Sequence, residues 1–155
     1  LLDLAALAGA AEVVLSDKEE MQELLRRNIQ LNGLGGRCRA ETLAWGDVPP
    51  AAWGRFDVVI GADVIYPVKD PACLRALLRT ILAVCHPGSS AALLLAYHER
   101  AEEDRRFLHE ELLPLFDASI EEVLESAVPG GTGALDGPVR CRGGVCQWRR
   151  GPGRR

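Results

Sequence analysis

Apolar positions along this chain alternate between short runs and helically spaced sets. Residues 12–16, 56–61 and 91–97 are short apolar runs bounded by polar or turn residues. That pattern suits parallel strands buried on both faces. Residues 38–43 alternate more weakly, as a strand near a sheet edge does, and Pro49, Pro50 and Gly54 mark the loop that follows. Between the strands, Met21, Leu24, Leu25 and Ile29 share one helical face, while Glu23, Arg26 and Arg27 take the other. Ser16 and Glu19 have capping-box spacing at the start of this helix, and Asn32-Gly33 stops it. Leu74, Leu77, Leu78, Ile81, Leu82 and Cys85 give a second helix, opened by Asp70 as N-cap with Pro71 at its first position and closed by Pro87-Gly88. Residues 102–115 give a third, with Phe107, Leu108, Leu112 and Leu115 inward. Residues 1–8 are rich in Leu and Ala and predict a helix stopped by Gly9, and residues 119–124 and 139–148 read as a late strand pair joined by a glycine-rich loop. The order α-β-α-β-β-α-β-α-β-β predicts an α/β domain: a doubly wound, mostly parallel sheet with an antiparallel terminal strand pair.

Length and composition narrow this picture without changing it. The 155 residues allow one domain, and a 48% apolar content is enough for a core. A net charge of −4 leaves no electrostatic footprint for nucleic acid. Residues 149–155 are basic but broken by Gly and Pro, and are expected to be a disordered tail beyond a domain at 1–148. The five cysteines, Cys38, Cys73, Cys85, Cys141 and Cys146, form no CxxC pair, and the three histidines are scattered, so no metal site is expected. An odd cysteine count without a secretory leader pattern points to a reducing compartment, the cytoplasm first and the nucleus second. No apolar run reaches membrane-spanning length, so no membrane partner is expected. The oligomeric state is left open.

In an open α/β sheet, ligands bind beyond the carboxyl ends of the strands, and several chemically able residues fall there. Asp17 follows the 12–16 run and can accept hydrogen bonds from a ribose diol; it can equally cap the next helix. Trp45, in Leu43-Ala44-Trp45-Gly46, offers an adenine a stacking face or else plugs the core. Gly61 and Ala62 are small enough for a ligand to approach the backbone closely. Asp63 and Tyr66 follow the 56–61 run, and Tyr97-His98-Glu99-Arg100 ends the 91–97 run on the same rim. His98 can serve as a base or simply be solvated.

Asp63-Val64-Ile65-Tyr66, directly after an apolar run, resembles the DxxY motif of the seven-β-strand (class I) S-adenosylmethionine-dependent protein-lysine methyltransferases, the methyltransferase-like family 16. The resemblance implies a Rossmann-like methyltransferase, S-adenosylmethionine as cofactor and a protein lysine as acceptor. It implies that Asp17 binds the ribose, that Trp45 packs on the adenine and that Ala62 lies close to the cofactor. Asp63 would orient the acceptor amine and Tyr66 would wall its channel, as the catalytic pair. The family also carries a first strand and a glycine-rich loop that would lie upstream of Leu1, so residues 1–148 are expected to be a partial, N-terminally truncated domain. Two other readings stand beside this one. One is a catalytically inactive module that uses the methyltransferase fold for binding. The other is a nicotinamide-dependent reductase, which wants a Tyr-x-x-x-Lys pair; here Lys69 follows Tyr66 one position short.

Overall fold

The alternating pattern folds into two β-α-β units followed by an antiparallel strand pair, in a computed structural model that describes residues 9–65, 71–85, 91–97, 101–124 and 140–148. In the first unit, β1 (Val13–Asp17) and β2 (Cys38–Thr42) flank helix α1 (Gln22–Leu31) and pair in parallel, Val13 opposite Cys38 and Asp17 opposite Thr42. In the second, β3 (Val58–Ala62) and β4 (Ala92–Tyr97) flank helix α2 (Pro71–Cys85) and pair in parallel, Val58 opposite Ala92 and Ala62 opposite Ala96. A short helix α3 (Glu102–Arg106) leads to β5 (Phe116–Leu124), and β6 (Arg140–Trp148) inserts between β4 and β5, antiparallel to both. The strand order is therefore β1-β2 in one sheet and β3-β4-β6-β5 in the other. The predicted doubly wound, mostly parallel arrangement with an antiparallel end is present. The first helix expected, at 1–8, lies outside the described residues, as do the glycine-rich loop and the basic tail.

The ladder hydrogen bonds show which backbone groups each sheet leaves over. The Asp57 carbonyl accepts the Ala92 N–H at 2.9 Å, and the Asp63 N–H donates to the Ala96 carbonyl at 2.7 Å. Parallel ladders use alternate residues, so Val59 and Gly61 also face β4, while the N–H and C=O groups of Val58 and Ile60 point away from it. By the same logic, the Val13 N–H on the Arg37 carbonyl (2.8 Å) and the Leu43 N–H on the Asp17 carbonyl (2.9 Å) turn Val14 and Ser16 away from β2. The expectation that the 56–61 run is buried on both faces is corrected: Val58 is 47% and Ile60 38% exposed. Val59 packs against the main core, but the face that carries Val58 and Ile60 is open among the described residues.

Two other local expectations change. Ser16 lies inside β1, so it forms no capping box; a 3-10 turn over Glu19–Met21 opens the helix instead, and the Glu19 carboxylate accepts the Thr42 hydroxyl at 2.6 Å. Leu24 is turned outward, half exposed, while Gln22, Leu25 and Ile29 are buried. The helix expected over 102–115 widens into a π-helical stretch at Phe107–Leu112 and tightens to 3-10 at Leu113–Leu115. Pro114 has no N–H to continue the helical ladder, and the π-helical stretch ends just before it. Phe107, Leu108 and Leu112 are buried as expected, but Leu115 is 37% exposed. The stop at Asn32-Gly33 forms as expected: Gly33 has φ 66°, its N–H donates to the Gln30 carbonyl, and the Leu34 N–H reaches back to the Ile29 carbonyl at 3.0 Å.

Two cores result. The larger joins α2, β4 and the helical segment around Leu108, with Leu77, Ile81, Leu93 and Phe107 at its centre. The smaller joins β1, α1 and β2 through Leu15, Leu25, Ile29 and Cys38.

Candidate active site

A cavity of about 630 Å³ opens between β1 and β3, and its walls include Asp17, Trp45, Ala62 and Asp63 together. Four of the five residues singled out by sequence thus meet at one site. The fifth, Tyr66, lies outside the described residues, as do His98 and Arg100. The cavity runs between the facing edges of the two sheets, along Val14 and Ser16 of β1, Val58 and Ile60 of β3 and the Leu77, Ile81 and Val84 face of α2.

Asp17 is the last residue of β1 and half-buried. It caps neither the 3-10 turn that begins after Lys18 nor α1 itself, both of which lack a side-chain cap. One carboxylate oxygen instead accepts the Lys18 N–H at 2.7 Å, which fixes the side chain at the strand's end. Lys18 and Ser16 line the cavity beside it.

Trp45 sits between the core and the cavity. It is half-buried, packs against the larger core and also lines the cavity. The turn that carries it is built by the next residue. Gly46 has φ 98°, a conformation that glycine adopts without strain. A Cβ there would lie 3.3 Å from Arg79 Nη2 and 3.5 Å from Ala76 Cβ. The Gly46 N–H donates to the buried Thr80 hydroxyl at 2.8 Å. Thr80 was not singled out from the sequence; its signal is a hydroxyl inside the apolar stripe of α2, between Leu77 and Ile81.

Asp63 is the one non-glycine with positive φ, 54°, among the described residues. It makes the last ladder bond to β4 and then turns the chain off the strand in a left-handed step. Such a conformation in an L-residue is a local strain that collects at functional sites. Gly61 makes the turn sterically feasible. A Cβ on it would meet Leu95 Cδ2 at 2.7 Å and Val64 Cγ2 at 3.0 Å, because Val64 folds back over the strand end. Ala62 adds little bulk at the exposed end of β3. Trp53 and Phe56, stacked edge-to-face with ring centroids 6.3 Å apart, form an aromatic part of the wall.

An acid at the end of one strand, an indole at the end of the next and a small residue before a strained acid on a third fit a nucleoside-bearing cofactor. The same fold occurs in a solved S-adenosylmethionine-dependent methyltransferase, SibL, in its apo form: the TM-score is 0.62 at 16% identity, covering 96% of this chain and 47% of that one. The architecture is that of the Rossmann-like methyltransferases. Residues 2–112 match a family described as lysine methyltransferase, and the chain belongs to that family. Mouse protein N-lysine methyltransferase METTL21A is 33% identical over 109 residues, which cover 68% of this chain and 47% of that protein. Human histone-arginine methyltransferase METTL23 is 30% identical over 147 residues, 82% of this chain and 72% of that protein. The chain therefore spans about half the length of METTL21A.

Proposed function

We propose that this protein takes part in methyl transfer from S-adenosylmethionine to the side-chain amine of a protein lysine. The observation that carries the reading is the convergence of Asp17, Trp45, Ala62 and Asp63 on one cavity in a chain of the lysine methyltransferase family. The cofactor, when bound, supplies an electrophilic sulfonium methyl group. Asp17 accepts hydrogen bonds from the ribose diol, and Trp45 gives the adenine a flat apolar face. Ala62 leaves room for the cofactor against the β3 backbone. Asp63 orients the incoming amine, and Tyr66 walls its channel. A free lysine amine has a pKa of about 10.4, so it must lose a proton before it can attack. A partly apolar channel favours the neutral amine, and exclusion of water leaves alignment as the protein's main contribution. The reaction is assigned to the cytoplasm, with the nucleus as second compartment.

One observation favours a second acceptor. Human METTL23, of which this chain covers 72%, is named for arginine methylation of histones. Lysine is kept because the matched family and METTL21A are both described by lysine. The test has two stages. Calorimetry with S-adenosylmethionine on the chain and on Asp17→Ala is expected to show binding that weakens by about 1.5–3 kcal/mol in the variant, the scale of hydrogen bonds to a charged group. Labelled methyl transfer to protein acceptors, followed by acid hydrolysis, is then expected to yield methyl-lysine. Methyl-arginine would move the acceptor assignment, binding without transfer would make the protein a binding module, and no binding by the parent chain would overturn the reading.

A further inference from the structure

We infer that Gln22 is a positioning residue for the adenosine end of the site, a role that rests on the cofactor reading above. Gln22 opens helix α1 and is 1% exposed. Its side-chain nitrogen donates to the Glu41 carbonyl at 2.9 Å and the Asp17 carbonyl at 3.1 Å, with the Lys18 carbonyl further off at 3.4 Å. Three carbonyl acceptors around one atom fix it as the amide nitrogen. The other end of the amide, Oε1, is buried and has no hydrogen-bond partner among the described residues.

Packing alone does not account for a glutamine here. A buried acceptor without a partner costs stability that an apolar side chain of the same length would not. Backbone satisfaction does not account for it either. The Asp17 carbonyl already accepts the Leu43 N–H at 2.9 Å, and the β1–β2 register gives the Glu41 carbonyl the N–H of Asp17. What the amide adds is a brace from the first turn of α1 across the carboxyl ends of both strands. One of those ends is Asp17. The other leads, through Leu43 and Ala44, to Trp45. Glu19 adds a second brace from the 3-10 turn just before α1, through the Thr42 hydroxyl at 2.6 Å. The relative placement of Asp17 and Trp45 is thus braced by Gln22 and Glu19, neither of which lines the cavity.

The test is calorimetric titration of S-adenosylhomocysteine, with a thermal melt of each protein, on the chain, Gln22→Met, Gln22→Glu, Asp17→Ala and Gln22→Met with Asp17→Ala. Methionine keeps the length and removes both the donors and the unpaired acceptor; glutamate keeps the shape but sets a second carboxyl oxygen, ionised or carrying one proton, against the same carbonyls. The expected result is a loss of affinity of about fivefold to tenfold in Gln22→Met with its melting temperature unchanged or raised, and a larger loss in Gln22→Glu with a lowered melting temperature. The double variant should fall little below Asp17→Ala, because the brace acts through that residue. Gln22→Met binding like the parent, while Asp17→Ala binds weakly, overturns the inference and leaves the cofactor reading standing. So does an affinity loss in Gln22→Met that simply follows a lowered melting temperature, for the role would then be structural. Full affinity in Asp17→Ala, or no binding by the parent chain, removes the cofactor reading and this inference with it.

Discussion

The Gly46 N–H donates to the Thr80 hydroxyl at 2.8 Å, which ties the turn that carries Trp45 to the middle of helix α2. The hydroxyl also reaches the Asp47 carbonyl at 3.5 Å. Thr80→Val keeps the shape and leaves the Gly46 N–H unpaired. A loss of about 1–3 kcal/mol of stability is expected by chemical denaturation, together with weaker cofactor binding as the Trp45 turn loosens. Unchanged stability would show that the turn is held by other contacts.

Gly61 lies under Val64 and Leu95. In Gly61→Ala the new methyl would sit 2.7 Å from Leu95 Cδ2, inside any real contact distance. Overpacking of this kind costs about 1–3 kcal/mol. The check is a double variant: Gly61→Ala with Leu95→Val should recover part of the loss in a denaturant melt, whereas additive losses would place the strain elsewhere.

Asp63 separates stability from function. At φ 54° glycine is free of strain and a β-branched residue is not. Asp63→Val is expected to be less stable than Asp63→Gly by about 1–3 kcal/mol. Methyl transfer by Asp63→Gly should nevertheless fall on the order of a hundredfold, since an orienting contact is lost. A glycine variant that transfers methyl at the parent rate would reduce Asp63 to a turn residue.

The alternation of ladder bonds on β3 predicts a two-speed strand. The amides of Val58 and Ile60 point away from β4, and those of Val59 and Gly61 point into the ladder. Hydrogen exchange followed by NMR should show Val58 and Ile60 exchanging much faster than Val59 and Gly61. Equal protection at all four would mean that the second edge of β3 is paired.

Much of this was legible in the sequence because it depends on local pattern. Strands β1 to β4 each fall within a residue or two of their apolar runs, since a period-two or unbroken apolar signal needs no tertiary context. Asp17, Trp45, Ala62 and Asp63 were placed together by one rule, that strand carboxyl ends share a rim. What was not legible depends on pairs distant in sequence. Glu19 has capping-box spacing with Ser16, but it meets Thr42 instead, 23 residues away. Gln22 and Thr80 look like ordinary helix residues until the carbonyl of Glu41 and the N–H of Gly46 are set beside them. The exposure of Val58 and Ile60 was hidden for the same reason: an apolar run records what a strand can bury, not whether a neighbour lies alongside.

Helix α2 has a consequence beyond its packing. Cys73, Leu77, Thr80, Ile81 and Val84 all line the cavity. Their spacing of three and four residues puts them on one face, and at 1.5 Å per residue that face is about 16 Å long. Thr80 anchors this rod to the Trp45 turn, and its first residue, Pro71, follows the Asp63–Tyr66 motif by five positions. The helix therefore fixes how its cavity-lining side chains sit relative to the Trp45 turn. One residue inserted between Leu77 and Thr80 would turn Cys73 and Leu77 by about 100° relative to the anchor and shift them by about 1.5 Å. The placement of those side chains is written in the number of residues along α2, and changes in surface composition leave that number untouched.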